Sequence, residues 1–177
     1  MMSDVRHIHN LALVGFMGTG KSSVGRLAAE QLGFAFIDTD DWIEHEVGRT
    51  IPEIFALQGE AAFRQYERDV VNALSARRDT VIATGGGLVV DPSNLASLKS
   101  HSLVVCLWAS PETVWERVRG QTHRPLLQAP DPPGKIRELL ELRGPAYRQA
   151  DVLVNTEFRS SKDVAQQVLH QFSVART

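Results

Sequence analysis

The stretch Leu11-Ala12-Leu13-Val14-Gly15-Phe16-Met17-Gly18-Thr19-Gly20-Lys21-Ser22 decides the fold. It opens on a short unbroken apolar run, and Gly15 to Ser22 match G-x-x-x-x-G-K-[ST] in full. Val24, Leu27, Ala28 and Leu32 follow at helical spacing, so the motif stands where a strand turns into a helix. Phosphate needs this arrangement. Glycines let successive backbone N–H groups turn toward one anion, and the helix N-terminus adds its positive dipole end. Lys21 then reaches the β- and γ-phosphates of a nucleotide, with the Ser22 hydroxyl on Mg²⁺. The competing reading, a glycine-rich turn that happens to hold a lysine, leaves the strand before and the helix after without a reason.

The whole chain is of ordinary globular composition, with 177 residues, a net charge of -2, 43% hydrophobic and 23% charged residues. That length predicts one domain, residues 1–177, burying about 70% of the surface its unfolded chain exposes. The near-neutral charge gives no support for a nucleic-acid or membrane partner. Among the basic residues 15 are Arg and only 4 are Lys, and Arg is the residue for bidentate recognition of phosphate and carboxylate. They are segregated: Arg117 to Arg148 holds six Arg and one Lys against three acids, whereas Asp38 to Glu46 holds five acids and no Lys or Arg. A single cysteine, Cys106, excludes an intrachain disulfide and points to the cytoplasm. Met1 to Asn10 lacks the apolar core of a targeting signal, and the longest apolar run, Leu103 to Ala109, is too short to span a bilayer.

Five apolar runs alternate with longer amphipathic stretches: Leu11 to Gly15, Phe34 to Asp38, Thr80 to Thr84, Leu103 to Trp108 and Val152 to Asn155. Such alternation is the signature of βα units, and unbroken runs suit strands covered on both faces. The expected fold is therefore α/β, three layers α/β/α around a five-stranded parallel sheet. Thr50-Ile51-Pro52-Glu53 has capping-box spacing, Ser110-Pro111-Glu112 offers an N-cap before a first-turn proline, and Ser161 precedes the stripe Val164, Val168, Leu169, Phe172. Gly120 to Gly134, with four prolines, reads as a long loop of the kind that serves as a lid.

Carboxyl ends of strands are where an open α/β sheet places its ligands. The second run ends in Asp38-Thr39-Asp40-Asp41, and strand alternation would turn Asp38 and Asp40 toward one cleft. There Asp38 is a candidate for holding Mg²⁺ and Asp40 for orienting or deprotonating a hydroxyl. Asp41 is better read as a helix cap. The third run ends in Gly85-Gly86-Gly87, which lets a ligand lie against bare backbone. Arg64, Arg124 and Arg143 remain, and spacing alone does not show whether they converge.

This ordered series resembles the shikimate kinase family. The resemblance rests on Gly15 to Ser22, Asp38-Thr39-Asp40, Phe63-Arg64-Gln65-Tyr66-Glu67, Gly85-Gly86-Gly87, Arg124-Pro125-Leu126-Leu127 and Arg143-Gly144-Pro145-Ala146-Tyr147. It implies a P-loop fold of the nucleoside monophosphate kinase type with a lid at about 120–134 and an acceptor-binding region at about 38–67. It also implies transfer of phosphate from ATP, with Mg²⁺, to the 3-hydroxyl of shikimate by a cytoplasmic monomer of aromatic amino-acid biosynthesis. Residue by residue, it implies Asp40 as base and hydroxyl ligand, Arg64 and Arg143 on the carboxylate, and Gly86 and Gly87 as backbone contacts. Ser22 and Asp38 would support Mg²⁺. Gly18, Thr19, Gly20, Lys21, Ser22 and Ser23 would bind nucleotide phosphate, with Lys21 and lid Arg124 on the transferring group. Arg117 and Arg159 would meet adenine.

Two other readings stay in view. A gluconate kinase shares the loop, the lid and a polyol acid substrate, but the Arg64, triple-glycine and Arg143 series argues against it. A nucleotide-gated binding module without catalysis is disfavoured by the intact Lys21, Ser22, Asp38, Asp40 and Arg124 set. Cys106 reads as a small core hydrophobe, Trp42, Trp108 and Trp115 as packing residues, and the histidines show no metal-ligand spacing beyond His7 and His9.

Overall fold

The computed structural model describes residues 6–121 and 128–176. Within them β1 (Asn10–Val14), β2 (Ala35–Asp38), β3 (Thr80–Ala83), β4 (Ser102–Trp108) and β5 (Val152–Asn155) form one parallel sheet in the order β2-β3-β1-β4-β5. Each strand lies within one residue of its predicted run. The helices are α1 (Lys21–Leu32), α2 (Thr39–Val47), α3 (Ile51–Leu74), α4 (Pro92–His101), α5 (Pro111–Val118), α6 (Pro132–Tyr147) and α7 (Ser161–Ala175).

The period of two along a strand divides each unbroken apolar run between two cores. Leu11, Leu13, Val81, Leu103, Val105 and Leu107 pack beneath α1 and α7. Ala12, Val14, Ile82, Val104 and Cys106 pack against α3, α4, α5 and α6. Each of the Val, Leu and Ile side chains among them contributes about 1.5–3 kcal/mol when removed from water. The β1-to-β2 crossover carries α1 on one face, whereas the crossovers after β2, β3 and β4 run over the other. The change of face occurs at β1, and the crevice it leaves opens at the carboxyl end of that strand.

Local signals account for most helix boundaries. Thr50 and Glu53 form the full capping box, Ser110 accepts from the Thr113 amide, and Ser160, one residue ahead of the expected Ser161, caps α7 in a box with Asp163. α3 is broken at Gly59, whose φ of 84° and ψ of 172° are open to glycine and strained for other residues, so its two halves take different directions.

The proline-rich loop ends earlier than its composition suggested. Pro132, Pro133 and Gly134 belong to the first turn of α6, capped by Asp131, because a first helical turn needs no N–H from proline. Residues 122–127, Arg124 among them, lie outside the described part of the chain. Trp108 is a second correction: at the end of β4 it is 44% exposed rather than packed, while Trp42 and Trp115 pack against the core. Cys106 is buried, and burial pushes its thiol up to about 11, as suits an inert core residue. Among the described residues no helix is long and apolar enough to cross a membrane.

Candidate active site

The chain leaves β1 at Gly15, where a Cβ would run into the Leu107 carbonyl, and turns through Gly18 and Gly20 at φ of 72° and 94°. Gly20 caps α1 without a side chain, which leaves the first-turn amides for an anion. Lys21 lies folded over the loop, its Nζ donating to the carbonyls of Gly15 at 2.8 Å and Phe16 at 2.7 Å. Thr19 Oγ1 donates to the same Phe16 carbonyl at 2.8 Å and braces the turn.

The Ser22 hydroxyl donates to Asp38 Oδ2 at 2.8 Å, which joins the loop to the end of β2. Asp38 is also the N-cap of α2, its Oδ1 accepting from the Asp40 amide at 3.0 Å. Here the strand-alternation argument fails. The helix starts at Thr39, so Asp40 stands in its first turn, and Asp38 holds the capping place expected of Asp41. Asp41 instead is largely exposed near Arg26. All three aspartates nevertheless line one cavity of about 360 Å³ with Lys21, Ser22, Ser23 and Gly86. A hydroxyl beside a carboxylate is an all-oxygen donor set that fits a hard divalent cation shared with phosphate oxygens. Among the described residues no group of three His, Cys, Asp or Glu could form an all-protein cage.

Asp40 is the electrostatic oddity of the cavity. Its Oδ1 is buried with no hydrogen-bond partner among the described residues. Burial first, then the negative charges of Asp38 and Glu67, push its carboxyl up to about 7, with Lys21 pulling the other way.

The three glycines at the end of β3 bring the remaining groups together by close approach. A Cβ on Gly85 would fall 2.5 Å from Asp40 Oδ1, one on Gly86 3.6 Å from the Met17 amide and 3.5 Å from Arg143 Nη1, and one on Gly87 2.8 Å from Arg64 Nη1. The turn therefore touches, in order, the carboxylate, the phosphate loop with one arginine, and the second arginine. Arg64 and Arg143 also line a cavity of about 430 Å³ with Gly87, Val90 and Leu139. The Arg143 guanidinium lies 5.6 Å above the Phe16 ring.

Sequence reasoning assigned no role to Glu67, Thr39 or Tyr147. Glu67 is 1% exposed and accepts from Arg64 Nη1 at 2.7 Å. Burial raises its pKa, and Arg64 and then Arg143 oppose the rise. Its signal was legible as an acid three residues after Arg64 on a helix with an apolar stripe. Thr39 Oγ1 accepts from the Gly85 amide at 2.9 Å, and Tyr147 Oη donates to the Gly86 carbonyl at 2.6 Å. Nothing local marks either contact.

On the other side of the phosphate loop, Arg117 and Arg159 line a cavity of about 210 Å³ with Gly18, Gly20 and Thr156. Arg117 donates to the Gly18 carbonyl at 3.1 Å and the Thr156 carbonyl at 2.8 Å. Glu157 fixes this loop to α5 by accepting from Thr113 Oγ1 at 2.7 Å, and its hydrogen bonds from Ser110 and Thr113 hold its carboxyl down at about 2.

Three cavities thus lie about the site, and the phosphate loop lines both the one holding Asp38 and Asp40 and the one holding Arg117 and Arg159. A model of the family described as shikimate kinase matches residues 17–173. The shikimate kinase of Symbiobacterium thermophilum is 46% identical over 165 residues, covering 92% of this chain and 95% of that relative. The solved structure of shikimate kinase from Acinetobacter baumannii in complex with shikimate is similar at a TM-score of 0.90 and 40% identity, covering 96% of this chain and 95% of the other. A gluconokinase from Sinorhizobium meliloti reaches a TM-score of 0.61 at 19% identity over 96% of this chain and 94% of its own, a likeness of fold alone. With a family match over residues 17–173 and a relative 46% identical over 92% of its length, the chain belongs to the shikimate kinase family.

Proposed function

We propose that the enzyme transfers the γ-phosphoryl group of ATP to the 3-hydroxyl of shikimate, giving 3-phosphoshikimate and ADP. The observation that carries this reading is the glycine turn, along which Asp40, the phosphate loop, Arg143 and Arg64 stand in order. A hydroxylated ring carboxylate lying on that turn meets a base at one end and two guanidinium groups at the other.

Positioning and charge neutralisation supply most of the catalysis in phosphoryl transfer. Gly18, Thr19, Gly20, Lys21, Ser22 and Ser23 hold the phosphates, and Lys21 leaves the carbonyls of Gly15 and Phe16 to pair with them. Ser22 and Asp38 would hold Mg²⁺, which would supply charge neutralisation to the phosphates. Asp40 accepts the proton of the attacking hydroxyl, Arg64 and Arg143 clamp the carboxylate, and the backbone of Gly86 and Gly87 supports the ring. Arg117 and Arg159 receive the adenine in the cavity beside Gly18. The acceptor-binding region spans about 38–67, and the lid runs from about 120 to the start of α6 at Pro132. We place the enzyme in the cytoplasm as a monomer, a setting in keeping with its one buried thiol.

A coupled assay of ADP release, with shikimate and gluconate offered in turn, tests the assignment. Release that depends on shikimate is expected. Release that depends on gluconate, or on neither acceptor, overturns it.

Two variants separate the roles. Arg124→Ala is expected to lower kcat at least about tenfold with the fold intact, since an arginine at such a transition state is worth about 10³ to 10⁵ in rate. Single-turnover transfer at the parent rate would contradict this. Arg64→Lys is expected to weaken shikimate binding and leave ATP binding little changed, because an ammonium cannot reproduce the planar fork. Calorimetric titrations showing equal loss of both ligands would remove Arg64 from the carboxylate clamp.

A further inference from the structure

We propose that the Tyr147 hydroxyl is a positioning group for the phosphoryl acceptor, acting through the Gly86 carbonyl to hold the glycine turn between the phosphate loop and the Arg143 guanidinium. The inference rests on the reading of the glycine turn as the acceptor's seat.

Tyr147 closes α6 and is 7% exposed within the core packed on α3, α4 and α5. A phenylalanine would supply the same apolar body, and a buried hydroxyl costs free energy unless it is paired. Its partner is the Gly86 carbonyl at 2.6 Å, across 61 residues of chain. The bond reaches a crowded point. A Cβ at Gly86 would lie 3.6 Å from the Met17 amide, 3.7 Å from the Gly15 carbonyl and 3.5 Å from Arg143 Nη1. Gly86 is thus the residue at which the nucleotide side of the site and the carboxylate side meet.

Arg143 stands one helical turn before Tyr147, so the clamp for the carboxylate and the clamp for the turn share a face of one helix. Pro145 lies between them and has no N–H to give to the carbonyl four residues back, so this last turn lacks one internal bond and gains from a tertiary one. Burial pushes the Tyr147 phenol up to about 12, against the pull of Arg143, so it remains a donor throughout the working pH range. Without the hydroxyl, the turn is free to shift relative to the loop, and displacement of a bound reactant by about 1 Å can cost about 10²-fold in rate.

The test is Tyr147→Phe, studied with the full chain well below its melting temperature. The expected result is a fall in kcat/KM for shikimate of about 10-fold or more, an ATP dissociation constant within about twofold of the parent, and an unchanged apparent pKa of kcat/KM. Replacing the hydroxyl by an amine, Tyr147→4-aminophenylalanine, restores a donor and is expected to recover most of the loss; it also serves if the Phe variant fails to fold. A Phe variant with parent kcat/KM and only a lower melting temperature overturns the proposal, as does an equal loss of ATP affinity, or an amine that folds but recovers nothing. A parent enzyme that phosphorylates no shikimate would instead overturn the acceptor assignment.

Discussion

Asp40→Asn is expected to lower kcat by about 10²–10⁴ while ATP still binds, the range typical for loss of a positioned general base. Asn keeps the size of the side chain but is neutral and carries an amide N–H in place of one carboxylate oxygen, so both the charge and the capacity to take a proton are lost. The pH profile of the parent follows from the same group. With its carboxyl pushed up to about 7, Asp40 is largely protonated at pH 6, so kcat/KM for shikimate should rise with pH and level off above about 7. Stability moves in the opposite direction. The native-state pKa lies above the unfolded value of 3.8, so between these limits the native state holds the proton that the unfolded chain has lost. Stability therefore falls as pH rises from about 4 to 7, and the whole penalty is present above that window. Asp40→Asn removes it. Its melting temperature should exceed the parent's at pH 8, by about 2–4 °C for each 1 kcal/mol relieved, and the difference should narrow as the pH falls toward 4. Parent-like turnover would remove Asp40 from the base role, and a pH-independent melting difference would remove the buried charge as its cause.

Lys21→Ala is expected to reduce single-turnover transfer by about 10²–10³, the usual cost of deleting one preorganised donor to developing charge in a water-poor site. In the structure Nζ is bonded to two carbonyls of its own loop, so the same amine both shapes the phosphate loop and is stored beside the place where phosphate would lie. Lys21→Arg is expected to recover little. A guanidinium is wider and planar, and the Gly15 and Phe16 carbonyls are placed for a compact ammonium. Rapid-quench measurement of one turnover, with circular dichroism to confirm folding, checks both variants. Transfer at the parent rate in Lys21→Ala would exclude a role for this amine in charge stabilisation.

A deeper difference separates Asp38 from Asp40. Alternation along a strand would turn both toward the crevice, and both are there, but by another route. Asp38 ends the strand and caps α2, while Asp40 is carried inward on the first helical turn. One capping bond thus sets the distance between the residue proposed for the metal and the residue proposed as base. The capping preference of Asp was legible at this site, but which of the three aspartates would take the cap was not. Asp38, which takes it with Oδ1, also accepts on Oδ2 from the Ser22 hydroxyl, sixteen residues earlier, at 2.8 Å.

Glu67 shows a related limit. Its spacing from Arg64 is a helix-surface pattern that ordinarily means an exposed ion pair of small value. Packing of α3 buries it instead, and a buried acid next to Arg64 and the charge of Arg143 stands beside both arginines of the proposed carboxylate clamp. Pro132 and Pro133 fail as loop markers for a comparable reason, since their meaning depends on which side of a helix start they fall.

Local features were readable from the residues alone: the phosphate loop between strand and helix, five apolar runs divided by alternation between two cores, and the caps that start α3 and α5. These follow from backbone dihedrals, hydrogen bonds a few residues apart and periods of two and 3.6, all present within a short window. The meeting of Asp40, Arg64, Gly86, Arg143 and Tyr147 came from long-range packing. No period links positions so far apart; the parallel sheet brings the strand ends to one edge, and packing of α3 and α6 against one face closes them on the glycine turn.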